Sequence, residues 1–242
     1  SINLVITPPS VSWPNTIKEN RVVTDFVSLN DLAATFLEFA GEKVPERMTA
    51  RSLKNILMSD KEGRVNKDFN RVFIARERHA MGRRGGLGYP GRAIRTDDFL
   101  YIHNYEPNRW PAGDPPLFAD IDGHMLQYYS PTKEYMMQQK EEPDVKQLYK
   151  HGFLKRPKYE LFDLRKDPFQ LNNVAYVEEY KDDLVRLTVE LNNYLVATAD
   201  PRETGDAIIW DTSPYYLEED WIGKPRQEAQ DVFNLEAAYP YK

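Results

Sequence analysis

The stretch RERHAMGRRGGLGYPGRAIR, Arg76 to Arg95, gathers six arginines, one glutamate and one histidine around a glycine-rich loop. The chain around it is acidic, with 32 basic against 38 acidic residues and a net charge of −6. An arginine guanidinium is a planar, permanently charged fork that fits sulfate, phosphate or carboxylate. Glycines let a backbone pass close to a ligand. The pattern therefore points to an anion, with a solvated loop laced by salt bridges as the equal alternative. His79 stands apart from the other histidines because Glu77 and Arg78 precede it at the end of an expected strand and the loop follows.

The remaining chemistry-bearing residues read as structural. His103 falls within a strand, and His124 and His151 stand alone, none with a partner at metal-binding spacing. DIDGH, residues 120–124, begins like a calcium loop but lacks the later acidic ligands and the closing glutamate. GRRGGLG is followed by no Lys-Ser/Thr pair, which excludes a P-loop, and by no helix of core periodicity, which excludes the dinucleotide fingerprint. There is no Gly-x-Ser-x-Gly elbow. Cysteine is absent, so thiol nucleophiles, cysteine-ligated zinc and disulfides within the chain are excluded. No catalytic residue and no metal ligand is assigned.

Elements must position the arginine segment, and periodicity supplies them. RVFIAR (71–76) reads as a strand, and RAIRTDDFLYIHNY (92–105) as two strands joined at Thr96-Asp97-Asp98. KYELFDL (158–164) is a further strand closed by Asp167-Pro168. Val177, Tyr180, Leu184, Leu187, Leu191 and Tyr194 step by three and four and predict a long amphipathic helix. Leu29, Leu32, Ala33, Phe36, Leu37 and Ala40 predict another, its apolar stripe facing a core, with Ser28 or Asn30 capping its start. Shorter helical pieces are expected near 53–58, after Ser130-Pro131, and around Val145 to Tyr149. Residues 1–14 read as one or two proline-broken strands, and the tail from Asp200 as an irregular wrap. A hairpin-rich sheet with flanking helices makes the class α+β.

Composition sets outer bounds. Apolar residues at 41% and aromatics at 12% supply a sizeable core. No apolar run approaches the roughly 20 residues of a membrane-spanning helix, and the net negative charge argues against binding nucleic acid through its phosphates.

Three segments carry a family resemblance. VTDFVSLNDLAATFLEFAGEKVP resembles the helix that ends the catalytic domain of formylglycine-dependent sulfatases, and YELFDLRKDPFQLNNVA resembles their late signature. The arginine segment, continuing through LYIHNYEPNRWPAGDPP, and SPTKEYMM together look like bacterial relatives of heparan N-sulfatase. The resemblance implies a C-terminal sulfatase subdomain, a small antiparallel sheet packed by a long helix, over residues 71–242. It implies for residues 1–70 the last strand and helix of an alkaline-phosphatase-like α/β catalytic domain, otherwise encoded upstream. It implies calcium and a formylglycine nucleophile in the complete enzyme, with ligands and nucleophile outside this chain, since no Cys/Ser-x-Pro-x-Arg motif is present. Sulfated glycosaminoglycan-type sugars, heparan sulfate among them, are the implied substrates, a periplasmic or otherwise extracytoplasmic compartment the implied location, and a homo-oligomer is compatible. Carried over residue by residue, Glu77, Arg78 and His79 become the expected sugar contacts, with Arg83 and Arg84 holding further acidic groups. The chain alone is then expected to be inactive. The competing classes are a non-catalytic module that binds sulfated carbohydrate, and a related hydrolase acting on phosphate. A piece of an enzyme would expose the apolar face of helix 28–40, and a free module would not.

Overall fold

The computed structural model describes residues 4–6, 13, 16–18, 20–79, 82–83, 86–116, 118–121, 131–205 and 208–212. Two compact units are present: residues 1–73 with 94–99, and residues 74–93 with 100–242.

In the first unit, β1 (Leu4–Ile6) pairs antiparallel with β2 (Arg21–Val23), Leu4 opposite Val23. Two helices follow, α1 (Asn30–Phe39) and α2 (Lys54–Leu57). Ile17, Val23, Leu53, Ile56, Leu57 and Phe69 form the core. Buried charges close loops here rather than form a site. Arg21, 1% exposed, donates to the carbonyl oxygens of Ile56 and Leu57 at the end of α2, each at 2.7 Å. It thereby satisfies acceptors that a helix terminus leaves open. Asp25 accepts from the backbone N–H groups of Val65 and Asn66.

Helix α1 forms as its periodicity predicts, but it buries the opposite face. Asp31, Ala34 and Thr35 point inward, while Leu29 is 82% and Phe36 66% exposed. The reason is polar. Asp31 accepts from the backbone N–H groups of Ser28 and Arg51, and the Thr35 hydroxyl accepts from Leu53 N–H at 2.8 Å. The N-cap position falls on Leu29, which has no side-chain cap, and the expected cap Ser28 only accepts from the Asn30 N–H at a long 3.4 Å.

The main sheet has four strands in the order β3 (Arg71–Arg76), β4 (Gly91–Thr96), β5 (Phe99–Asn104), β6 (Tyr159–Asp163), and is antiparallel. Alternation works as expected along β5: Tyr101 is fully buried, while Leu100 and Ile102 turn to the other face, where they line a groove. Helices α3 (Pro131–Gln138) and α4 (Pro143–Phe153) pack Met136, Met137, Tyr149 and Phe153 around Phe118 and Ala112. A 3-10 turn at Glu178–Tyr180 leads into the long helix α5 (Lys181–Ala197), which buries Leu187, Leu191 and Leu195. The part of the expected irregular wrap from residue 213 onward lies outside the described residues, and residues 201–205 and 208–212 are not irregular. They form two short helices, α6 (Pro201–Thr204) and α7 (Ile208–Thr212), because Asp200 caps α6 through its carboxylate and Gly205 ends it in the left-handed region.

The polar residues of YELFDLRKDPFQLNNVA act on the backbone. Asn173 accepts from Leu161 N–H and donates to the Tyr159 carbonyl, so the returning loop docks along β6. Asp167 accepts from Leu171 and Asn172 N–H. Asp163 is gripped by both sides of the Arg165 fork, at 2.8 and 2.9 Å, which holds its pKa down at about 2. A carboxylate depressed in the folded state contributes stability above its ordinary pKa and loses it as pH falls through the folded value. Asp200 and Asp211 are depressed too. Burial alone would raise both, and arginine contacts outweigh it. The melting temperature is therefore expected to fall steeply between about pH 4 and 2. Asp163→Asn should flatten part of that slope, as circular dichroism melts across the range would show.

Candidate functional site

The segment from Glu77 to Arg95 is held by two charge clusters, both in the second unit. The first surrounds Glu77. Arg92 approaches its carboxylate at 2.8 Å, and Arg202 grips it twice, at 3.0 and 2.6 Å. Arg92 in turn holds Asp200 with both sides of its fork, at 2.8 and 3.0 Å. Burial of Arg92, only 2% exposed, would lower its pKa, but the bonds to Asp200 and Glu77 raise it above the ordinary value. Glu77 and Arg202 are 125 positions apart in sequence, so this cluster joins the end of β3 to the start of α6. A neighbouring clamp repeats the device. Asp211 on α7 accepts from Gly88 N–H and from both sides of the Arg109 fork, each at 3.0 Å.

The second cluster surrounds Asp120, whose side chain is fully buried. Its Oδ2 accepts from Arg83 in a short bond and from Arg76 at 3.0 Å. Arg83, 2% exposed, also donates to the carbonyl oxygens of Trp110 and Pro111. Burial pushes the Arg83 guanidinium below its ordinary pKa, and Asp120 counters part of that. Backbone proximity makes the cluster possible. Gly113 adopts φ +94°, and a Cβ there would lie 2.8 Å from both Ala119 N and the Gly82 carbonyl. Lys133, from the SPTKEYMM segment, donates to the carbonyls of Phe118 and Ile121 on either side of Asp120, at 2.8 and 2.7 Å. That fixes the turn which carries the carboxylate.

The expected contacts thus separate. His79 projects outward, its side chain 72% exposed, with Nδ1 3.6 Å from Asp120 Oδ1. Arg78 is half-buried and donates to the Gly86 carbonyl at 3.2 Å. Glu77 and Arg83 are turned inward into ion clusters. Arg84 lies outside the described residues, as does His124. Of the further arginines, Arg92 is in the interior ring, and Arg95 stacks over Phe26 at 5.9 Å. Asp120, Asp200, Arg202 and Asp211 were not singled out from sequence. Asp120 carried only the calcium-like DIDGH signal, and the other three carry no local signal, since their partners are 102 to 125 residues away.

Beside the clusters lies a groove of about 590 Å³ on the sheet face that carries Leu100 and Ile102. Ile74, Phe162, Phe169 and Leu171 line it, with Arg76, Asn104, Arg156 and Glu160 as its polar members. Tyr89, 4% exposed, borders it, and burial pushes its phenol up to about 12. Neither group implied by the family resemblance fits the described residues. No cluster of three or more histidine, aspartate or glutamate side chains stands close enough to hold a metal ion among them, and the sequence has no nucleophile motif. No step of a sulfate-transfer reaction is therefore placed on these residues. No helix among the described residues is long and apolar enough to cross a membrane.

Residues 3–115 match the family model described as N-sulphoglucosamine sulphohydrolase, C-terminal, so over that stretch the chain is similar to that family. An ulvan-active sulfatase of Formosa agariphila is 29% identical over 196 residues, covering 80% of this chain and 29% of that protein. An N-acetylglucosamine-6-O-sulfatase of Bacteroides thetaiotaomicron is 31% identical over 140 residues, covering 53% of this chain and 23% of that protein. The chain thus spans less than a third of the length of either relative. Among solved structures, one in complex with its substrate D-glucosamine-2-N,6-O-disulfate shares 21% identity over 76% of this chain and 25% of its own, with a TM-score of 0.43.

Proposed function

We propose that this chain is the substrate-recognising C-terminal part of a sulfatase that hydrolyses sulfate esters or sulfamates on glycosaminoglycan-type sugars. The observation that carries the reading is the exposed His79 beside the half-buried Arg78, in a loop held by ion clusters. A guanidinium and an imidazole beside each other offer directional donors to a sulfated sugar. Glu77 and Arg83 hold that loop in place, and Arg84 joins the contact set on its position in the sequence. The relatives named above, which act on sulfated sugars or polysaccharides by their descriptions, support the substrate class.

The exposed stripe of α1 supports a piece of a larger enzyme over a free binding module, since Leu29 and Phe36 present a continuous apolar face to be covered. The nucleophile, the calcium ion and its ligands then belong to the remainder of the parent protein. That parent acts outside the cytoplasm in this reading, because polymeric polyanions do not cross membranes unaided.

The test is calorimetric titration of the parent sulfatase with a sulfated heparin oligosaccharide. A hydrogen bond to a charged group contributes about 1.5–3 kcal/mol, so Arg78→Ala should weaken binding by about tenfold to a hundredfold. Unchanged affinity in that variant would sink the assignment. Sulfate release by the 242-residue chain alone would overturn the division of labour with the rest of the enzyme.

A further inference from the structure

We propose that Asp120 is the positioning residue for His79, fixing which ring nitrogen the imidazole presents to the sugar. The inference rests on the reading of His79 as a substrate contact. The two oxygens of the buried Asp120 carboxylate are treated differently. Oδ2 is occupied by Arg83 and Arg76. Oδ1 is buried and has no hydrogen-bond partner among the described residues. A buried carboxylate oxygen without a donor is costly. Among the described residues, the group that approaches Oδ1 is His79, with Nδ1 at 3.6 Å. This is longer than a hydrogen bond, which needs about 2.7–3.2 Å, so the pairing requires the exposed ring to turn toward Oδ1.

The proton on a neutral imidazole sits on whichever nitrogen has an acceptor, and the other nitrogen keeps its lone pair. With Asp120 Oδ1 accepting, the proton is held on Nδ1. Nε2, on the exposed side of the ring, is left to accept from a sugar hydroxyl, or to donate to a sulfate oxygen once protonated. Arg83 and Arg76 do more than neutralise the carboxylate in this arrangement: they fix its rotation, so that Oδ1 always faces the histidine. If Asp120 were only a counter-ion for the two arginines, the His79 proton would be indifferent to it.

Long-range proton–nitrogen NMR of the chain with nitrogen-15 in its histidines, at about pH 8 and above the ordinary histidine pKa, reads the tautomer directly. His79 is expected as the Nδ1–H form. In Asp120→Asn the two arginines retain the amide oxygen, which turns the amide N–H₂ toward His79. A donor there forces the Nε2–H form, and that switch is the expected result. An Nε2–H form in the unsubstituted chain, or no switch in a folded Asp120→Asn variant, overturns the pairing. Should the variant fail to fold, the tautomer of the unsubstituted chain alone decides.

A binding arm in the parent sulfatase separates the two claims. His79→Ala and Asp120→Asn should each weaken a sulfated heparin disaccharide by about three- to tenfold, the effect of one hydrogen bond. The expected tautomer combined with unchanged affinity in His79→Ala overturns the sugar contact and leaves the Asp120 pairing standing.

Discussion

Arg92→Ala is expected to cost about 3–5 kcal/mol of stability, because removing one member of a buried ion cluster strands the others. Arg92 is the centre of the ring: it touches Glu77 at 2.8 Å and holds Asp200 with both sides of its fork. Without it, two carboxylates each only 14% exposed face a site that has lost a full charge, and Arg202, whose fork stays on Glu77, reaches Asp200 only through its backbone N–H and at longer range. Arg92→Lys should recover little, since a lysine offers one point charge where a planar fork made paired bonds. The midpoint of a urea transition measures the loss. An Arg92/Asp200 double-mutant cycle should show a coupling of about 1–3 kcal/mol. A coupling near zero would mean that the ring is solvated and holds nothing.

Asp120→Ala should be of similar severity, again about 3–5 kcal/mol, for a different reason. Here the stranded group is Arg83, a guanidinium that burial already pushes below its ordinary pKa. Its remaining hydrogen-bond partners among the described residues are the uncharged carbonyls of Trp110, Pro111 and Leu87, and the Asp114 carboxylate balances it only from a distance. The severity belongs to the broken pair and not to the absence of the pair. Replacing both residues with apolar ones, as in Asp120→Leu with Arg83→Met, should restore much of the loss, because two desolvation costs disappear together. Urea midpoints of the single and double variants decide the matter. A double variant as unstable as Asp120→Ala would show that the carboxylate's value lies elsewhere, for example in shaping the turn that Lys133 grips.

The sequence made the strands of this fold legible because they alternate or end in turn chemistry: β3, the β4–β5 hairpin at Asp97-Asp98, and β6 with Asp163 and Asp167. The heptad-like steps of α5 were equally plain, although Leu195 rather than Tyr194 is its last buried contact. Helix α1 shows the limit. Its period fixes that a helix forms, but the inward face is chosen by Asp31 and Thr35 through bonds to Arg51 and Leu53, some 20 residues away. The candidate site divides in the same way. His79 and Arg78 stood out by local crowding of charge. Which arginines are engaged internally could not be read, because Asp120, Asp200 and Arg202 sit among ordinary acidic and basic residues and acquire their roles only when the chain returns to β3. Periodicity reports local geometry, and an ion pair across 125 positions has no period.

The ties from Glu77 to Arg202 and from Gly88 to Asp211 bear on how this region can be exchanged between related proteins. A chimera that transplants residues 76–95 alone receives Glu77 and Arg92 without the acid and base that complete their ring. One that also transplants 200–211 receives all four. For recombination the two segments form a single cassette together with residues 109–120, because Asp211 also holds Arg109 and Arg76 and Arg83 hold Asp120, and a breakpoint is harmless only when all three pieces come from the same parent.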